Sequence, residues 1–376
     1  MLWGPQGTTA SALQQTLRGY SRMGGMRMMA ETSATVQKSP GSQSVTDCDT
    51  NPKSASGRPL AAIGNMLRMR EMAMVILILF TGVILSIFSP YFLSYANFIA
   101  IARGFSMEGV VVVGMVMLLV SGNFDLSVGS VMALSGIAAA ALMVNAHMPP
   151  PVAVLGGMLV GGAAGAINGF IVTQIGVNPL IATLGMMAVA RGFALGFTSG
   201  HPVINVPLGF AWVGQGSIAG LPVPVLILAA VVVIADLMMR KARALRQLYY
   251  VGGSQKAAKL SGINVNRVVF MTFVASGVFA AIAGIISMAP LTSGVPTAFV
   301  SVELRVIAAC VIGGASLSGG EGTVLGALLG LIFMSLVTNA MTMFGVSIYW
   351  EGVITGSILT AAVSVDMLSR RRLRKF

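Results

Sequence analysis

Long blocks of apolar residues, rich in glycine and alanine, run through residues 72–369 and constrain the fold more than any other feature. Only 9% of the chain is charged, against about 25% in an average soluble protein. These charges are too few to cover a water-soluble particle of this size. Because one crossing needs about 20 apolar residues, the sequence predicts an all-α, polytopic integral membrane protein with about ten transmembrane helices.

Polar or proline-containing breaks divide the apolar region into ten segments. Arg191 interrupts the fifth segment, and Glu303 and Arg305 border the eighth, which is short for a full crossing. The predicted spans are 72–89, 104–121, 126–146, 150–175, 179–198, 222–239, 268–289, 303–316, 323–345 and 349–368.

The basic residues fall into three clusters. Of the 23 lysines and arginines, eight precede residue 71, seven lie in 240–267 and five close the chain. Bases at the ends of apolar segments follow the positive-inside rule, so the net charge of +12 does not indicate a nucleic-acid partner. Placing all three clusters in the cytoplasm requires an even number of spans between each cluster and the next. The predicted spans give six between the first and second clusters and four between the second and third. We therefore expect both termini to be cytoplasmic.

The N-terminal segment differs from the rest of the chain. Residues 1–65 are rich in Ser, Thr, Gly, Gln and Met and show no helical periodicity. They are interpreted as a disordered cytoplasmic tail or, alternatively, as upstream sequence that is included because the start codon was called too early. Met66, which begins a basic lead-in to the first span, would make a natural start. The transmembrane domain is predicted at 66–370, followed by a basic cytoplasmic tail at 371–376.

The sequence contains no recognisable catalytic machinery. It has no nucleophile–base pair, no set of metal ligands and no phosphate-binding G-x-x-x-x-G-K-[ST] loop. The segment LSGGE at 317–321 is close to the LSGGQ signature of ABC ATPases, but it lies between two apolar segments. We interpret it as a glycine-rich turn, and we expect no enzymatic activity, cofactor or metal in this chain.

Polar residues at membrane depth are costly unless they are paired or face a water-filled cavity. Asp125 lies in a polar break between the second and third spans, where its carboxylate is predicted to cap the third. Glu108, Arg305 and Glu351 are further ionisable residues at this depth. The candidates for a pathway or structural role are Asp125, Ser127, Asn168, Arg191 and Glu303.

Two other patterns concern contacts between segments. Gly161, Gly165 and Gly169 form GxxxG steps, which predict close packing within the bundle or, alternatively, a subunit interface. In the polar stretch 240–267, Ser254 is a candidate N-cap, Ala257, Ala258 and Leu260 offer a small apolar face, and Gly262 stops the helix. The prediction is a short helix that docks into a partner's groove; a solvated connector is the alternative.

Four separated motifs resemble one known family. They are GNFDLSVGSV at 122–131, VGGSQKAAKLSGINV at 251–265, ELRVIAACVIGGASLSGGEGTVLGALLG at 303–330 and VITGSILTAAVSVD at 353–366. Together they resemble the membrane permease subunits of ABC sugar importers of the ribose, arabinose and xylose type. The resemblance covers residues 67–370 and implies an inner-membrane permease that pairs with a second permease copy. It also implies a cytoplasmic ATPase subunit with two nucleotide-binding domains and a periplasmic sugar-binding protein.

The resemblance further implies that 240–267 is a cytoplasmic coupling loop. Two departures from the family pattern are Ser254–Gln255 after the paired glycines, and Arg305 where many members have an aspartate. The residues to which the family's ATPase-coupling role would transfer are Gly252, Gly253, Ala257, Ala258, Leu260, Ser261, Gly262 and Ile263.

The function expected from the residues and the resemblance is translocation of a pentose or hexose monosaccharide, driven by a separate ATPase. The absence of a phosphate loop agrees with an energy source outside this chain. The alternative is an ion- or proton-coupled secondary transporter. It would need an intramembrane carboxylate relay, for which Asp125 with Glu108 is the candidate.

Overall fold

The computed structural model describes residues 58–373, which form thirteen α-helices and one small hairpin. Of the tails predicted at 1–65 and 371–376, residues 1–57 and 374–376 lie outside this range. Residues 58–65 and 371–373 are helical, at the start of α1 and the end of α13, so the prediction of a non-helical tail was wrong for 58–65. The helices are α1 (Arg58–Phe88), α2 (Tyr95–Val120), α3 (Val128–Val144), α4 (Pro150–Phe170), α5 (Pro179–Thr198), α6 (Leu208–Gln215), α7 (Val223–Lys241), α8 (Arg243–Gly253), α9 (Gln255–Leu260), α10 (Val265–Met288), α11 (Val302–Ile312), α12 (Val324–Met343) and α13 (Glu351–Leu373). A π-helical turn (Ile171–Ile175) extends α4, a 3₁₀ turn (Ile348–Trp350) precedes α13, and β1 (Ser217–Ile218) pairs antiparallel with β2 (Leu221–Pro222).

Each predicted span coincides with a helix, so the all-α polytopic fold is confirmed. Prolines at the N-termini of α4 and α5 fix where these helices begin, and both match the predicted bounds. Among the described residues, seven helices are long and apolar enough to cross a membrane: α1, α2, α4 with its π turn, α5, α7, α10 and α12. Because α3 has 17 residues and α11 has 11, the count of ten crossings is approximate.

Helices α2–α5 and α10–α13 repeat one packing pattern. In the first set α3 packs on α4 and α5, and in the second α11 packs on α12 and α13. Helix α10 also packs on α2, α3 and α4, while α2 packs on α10, α11 and α12. Internal repeats of this kind are common in transporters. The central pair is therefore α2 and α10. Each also packs along one further helix, in two contacts that the repeat relates and that are called seams here: α4–α10 and α2–α12.

The seam between α4 and α10 is made of glycine. Gly157, Gly161, Gly165 and Gly169 recur every four residues on α4; the last three face α10, and Gly157 lies where α3 and α10 both approach. A side chain at Gly161 would collide with the Gly277 carbonyl of α10, and one at Gly165 with the Phe273 carbonyl. This geometry confirms that the GxxxG steps serve packing within the chain.

Replacing Gly161 with valine is therefore expected to lower the yield of folded permease sharply. Overpacking a fitted core typically costs about 1–3 kcal/mol, and here the obstacle is backbone, which cannot rotate away. The measurement is thermal stability and monodispersity of the detergent-purified protein. Gly185→Val is the matched control, since a side chain at Gly185 on α5 meets nothing within 4 Å. Equal stability of the two variants would contradict the packing assigned to this seam.

Candidate functional site

The polar stretch after α7 forms two short helices. Ser254 caps α9, because its hydroxyl accepts a hydrogen bond from the Ala257 amide at 3.3 Å. Gly262, at a φ of +79°, ends the helix, and the Ile263 amide donates to the Ala258 carbonyl at 3.0 Å. The predicted short helix, its cap and its stop are thus present. Helix α8 lies in the stretch predicted as a loop, and its buried side chains are Leu248 and Val251.

The structure differs from the prediction in the direction that Ala258 faces on α9. Ala258 is only 3% exposed and packs in the chain's own core with Leu118, Val251 and Phe273. The prediction that Ala258 lies against a partner was therefore wrong. A charge there would disrupt the permease itself. The outward face carries Leu260, whose side chain is 91% exposed. Leu260 is therefore the large apolar side chain of α9 that remains accessible to a partner.

A cluster of glycines, here called the glycine joint, fixes this loop to the helix bundle. It consists of Gly122 at the end of α2, Gly252 at the end of α8, and Gly319 and Gly320 in the turn between α11 and α12. A side chain at Gly252 would overlap the Val120 carbonyl and lie 2.5 Å from the Gly320 amide nitrogen. One at Gly319 would lie 2.8 Å from the Gly252 carbonyl oxygen. Three chain segments therefore meet backbone to backbone.

Two hydrogen bonds hold the glycine joint together. The Gly320 amide donates to the Val120 carbonyl at 2.9 Å, which links the α11–α12 turn to α2. The Tyr249 hydroxyl donates to the Gly322 carbonyl at 2.9 Å, which links α8 to the same turn. The LSGGE segment, interpreted from the sequence as only a glycine-rich turn, is therefore part of this contact. In the sequence, the glycine pairs at 252–253 and 319–320 were the pattern that could have indicated this contact.

Three of the predicted polar residues come together before α3. Asp125 Oδ1 accepts hydrogen bonds from the Ser127 amide at 2.8 Å and from its hydroxyl at 2.5 Å. Asn168 on α4 donates to the same hydroxyl at 3.1 Å. All three side chains are buried. The carboxylate thus closes the turn before α3 by binding the N-cap residue Ser127, and it accepts from no backbone N–H within α3 as the predicted cap would. The Ser127 hydroxyl ties this turn to α4 through Asn168.

The other two predicted residues are neighbours on different helices. Arg191 on α5 donates to the carbonyls of Pro296 at 2.5 Å and Ala298 at 2.8 Å, in the segment that leads into α11. The negative charge of Glu303, in the first turn of α11, acts on Arg191. A side chain at Gly129 on α3 would lie 2.7 Å from Glu303 Oε2, so the first turns of α3 and α11 meet here.

Arg305 forms an ion cluster that sequence reasoning did not assemble. Its guanidinium pairs with Glu108 of α2 at 2.7 Å and with Glu351 at the start of α13. Glu303, two residues away, faces a different neighbour, as helical geometry requires. The partners lie 197 and 46 residues from Arg305 in the sequence, which is why local patterns could not reveal them. The cluster joins three helices with one cation.

Comparison with known proteins gives consistent matches. The model of a family described as branched-chain amino acid transport system / permease component matches residues 97–363. The ribose import permease of Escherichia coli K12 is 38% identical over 301 residues, 79% of this chain and 93% of that protein. The Bacillus subtilis 168 ribose import permease is 36% identical over 286 residues, 76% of this chain and 88% of that protein.

A third relative is the L-arabinose transport system permease of E. coli K12. It is 36% identical over 323 residues, 85% of this chain and 98% of that protein. No solved structure gives a significant match. The described helices, the four motifs and these relatives agree, and the chain belongs to the family of membrane permease subunits of ribose- and arabinose-type ABC sugar importers.

Proposed function

We propose that this chain is the transmembrane permease of a binding-protein-dependent ABC importer that carries a pentose or hexose across the inner membrane. The observation that carries the proposal is the α8–α9 loop, which presents Leu260 outward and is fixed to the bundle by the glycine joint. The family's printed description names branched-chain amino acids. The relatives named for ribose and L-arabinose support a sugar as the transported molecule, since they match 76–85% of the chain.

The proposed energy transfer runs from a separate ATPase into α9. The ATPase would hold the outward face of α9 in a groove, so that closure of its nucleotide-binding domains pulls the α8–α9 loop. Because Gly252 touches both Val120 and Gly320, this pull reaches the end of α2 and the α11–α12 turn together. Rigid backbone contacts transmit displacement better than mobile side chains do. The bundle would then alternate between outward and inward access.

The remaining partners follow from the same proposal. A periplasmic binding protein would deliver and select the sugar, and a second permease copy would complete the pathway. Asp125, Ser127, Asn168, Arg191 and Glu303 would then be structural supports near the pathway. The structure shows Asp125 and Asn168 tying α3 to α4, and Arg191 tying α5 to the segment before α11.

The secondary-transporter alternative requires carboxylates that can exchange protons or ions. In the described part of the chain, Asp125 is held by Ser127 and Glu108 is paired with Arg305. These contacts favour a structural role for both groups. Uptake of radiolabelled ribose and L-arabinose by cells distinguishes the two energy sources. The proposal expects uptake to stop when ATP is depleted and to persist with an uncoupler at constant ATP. Loss with the uncoupler alone would support the alternative.

Topology provides a separate prediction. Gln255 on α9 is exposed, and Ala219 is exposed at the turn between β1 and β2. Because α7 lies between them in the chain and is long enough to cross, these residues should face opposite sides. With Cys48→Ser and Cys310→Ala in the background, Ala219→Cys should react with an impermeant thiol reagent in intact cells. Gln255→Cys should react only after permeabilisation. The reverse pattern would overturn the cytoplasmic placement of the coupling loop.

A further inference from the structure

The first helix is joined to the α11–α12 turn by one polar contact. Glu71 lies on α1, at the start of the stretch that is long and apolar enough to cross a membrane. Its Oε1 accepts a hydrogen bond from the Thr323 hydroxyl at 3.1 Å, although 252 residues separate the two in the sequence. Thr323 is the N-cap of α12, since the same hydroxyl oxygen accepts from the Gly326 amide at 2.9 Å. One hydroxyl therefore caps α12 and joins it to α1.

A carboxylate suits this position for a second reason. The N-terminus of a helix carries a partial positive charge, which favours a nearby negative group. Helix α12 has no acidic residue in its own first turn, so Glu71 supplies the negative charge from another helix. A hydrogen bond to an ionised acceptor is also stronger than one between neutral groups. The contact between Glu71 and Thr323 therefore combines a charge-assisted hydrogen bond with a favourable helix dipole.

The glycine joint holds the same turn at neighbouring residues. The Gly320 amide donates to the Val120 carbonyl at 2.9 Å, and the Gly322 carbonyl accepts from the Tyr249 hydroxyl at 2.9 Å. Gly322 and Thr323 are consecutive, so the contacts of the turn with α8 and with α1 come from adjacent residues. The turn is thus bonded to α2, α8 and α1, and the bond to α1 is the one that lies outside the glycine joint.

Helix α1 lies at the edge of the bundle, where few buried contacts hold it. Only 11% of its span is buried within the chain, the smallest share among the seven candidate spans of the described residues. The buried side chains of this span are Met74 and Leu85. Leu85 shares a buried cluster with Leu336 of α12, near the other end of the span from Glu71. Helix α1 is thus attached to α12 at both ends, by an apolar cluster at one and by the hydrogen bond to Thr323 at the other.

We propose that Glu71 is a positioning residue for coupling, which makes α1 and α12 move as one body when the α8–α9 loop is pulled; this rests on the proposed function. A displacement that passes from Gly252 to Gly320 reaches the start of α12 through the turn. Without the bond to Glu71, the turn could rotate about the glycine joint and leave α1 behind. With it, two separate attachments fix the direction in which α12 moves.

Glu71→Ala tests the proposal in the complete importer, with permease, ATPase and binding protein reconstituted in liposomes. The ATPase should still co-purify, because the α12 cap and the α8–α9 loop are unchanged. The amount of ribose or L-arabinose transported per ATP hydrolysed should fall about fivefold. Glu71→Gln, which still offers an acceptor oxygen to Thr323, should restore most of this ratio. Thr81→Val on α1 is the matched control, since its hydroxyl donates to the Leu77 carbonyl of the same helix at 2.9 Å. It should keep the unmodified ratio.

A double-mutant cycle separates this contact from a general loss of stability. Thr323→Val should lower the ratio by less in the Glu71→Ala background than alone, because the pair is already broken there, whereas Thr323→Ser keeps the hydroxyl and should transport normally. If Glu71→Ala fails to assemble, Glu71→Asp, which keeps the charge but shortens the side chain, should show the lowered ratio.

Three results would overturn the role of Glu71: an unchanged ratio in the assembled variant, loss of the ATPase from it, or equal effects of Thr323→Val in both backgrounds. Failure of the unmodified importer to transport with ATP would instead count against the proposed function.

Discussion

Replacing Leu260 with glutamate is expected to release the ATPase from the permease and abolish ATP-driven sugar uptake. Leu260 is 91% exposed on α9, so the substitution should leave the permease folded. The substitution would place an unpaired carboxylate in the proposed contact, and burying an unpaired charge costs far more free energy than burying an apolar side chain. Co-purification of the ATPase with tagged permease gives the first measurement, and uptake gives the second.

Two controls on the same helix separate the apolar contact from a change of charge. Gln255→Glu adds the same charge at the exposed N-terminus of α9, where the helix dipole favours it. Lys256→Ala removes an exposed charge, which is typically worth only about 0–1 kcal/mol. Both variants should retain the ATPase. A normal ATPase yield with Leu260→Glu would show that α8–α9 is a solvated connector and would remove its coupling role.

Replacing Gly252 with alanine is expected to uncouple ATP hydrolysis from transport. The new methyl group would overlap the Val120 carbonyl, and backbone atoms surround it on both sides. The α8 end must then move away from α2 and from the α11–α12 turn, which weakens the Tyr249–Gly322 hydrogen bond. Since α9 itself is unchanged, the ATPase should still bind. The ratio of sugar transported to ATP hydrolysed should fall by about tenfold or more.

Gly253→Ala provides the matched control for the glycine joint. Gly253 is the next residue and is exposed, and a side chain there meets nothing within 4 Å. It should keep the unmodified ratio of sugar to ATP. If Gly252→Ala also keeps that ratio, the joint does not carry the movement of the loop. If Gly252→Ala loses the ATPase, the joint instead shapes the docking surface, and the transmission role is wrong.

Local sequence patterns were sufficient to locate the membrane helices, although α1 and α2 begin 14 and 9 residues before the predicted spans. Apolar length and proline position predicted the bounds of α5, and those of α4 with its π turn, at 179–198 and 150–175. The cap at Ser254 and the stop at Gly262 were also visible, because both act within a few residues. Helix α8 was missed because it is short and begins among the basic residues at 240–246, although Leu245, Leu248 and Val251 share one face.

Contacts between distant segments could not be predicted in the same way. The Arg305 cluster and the glycine joint each bring together three segments that lie far apart in the sequence. The direction of Ala258 depends on where Phe273 and Leu118 lie, which no local periodicity specifies. Gly252 and Leu260 were coupling candidates from the sequence, but the contacts that Gly252 makes with α2 and with the α11–α12 turn emerged only from the fold.

The central claim is that this permease moves sugar only with energy from a separate ATPase. Its most direct test compares ribose and L-arabinose accumulation in two sets of liposomes. One set contains the permease alone under an imposed proton gradient. The other contains the permease, the ATPase and the binding protein, with ATP on the side of the membrane where the ATPase lies. The account predicts accumulation in the second set only. Gradient-driven accumulation by the permease alone would contradict it.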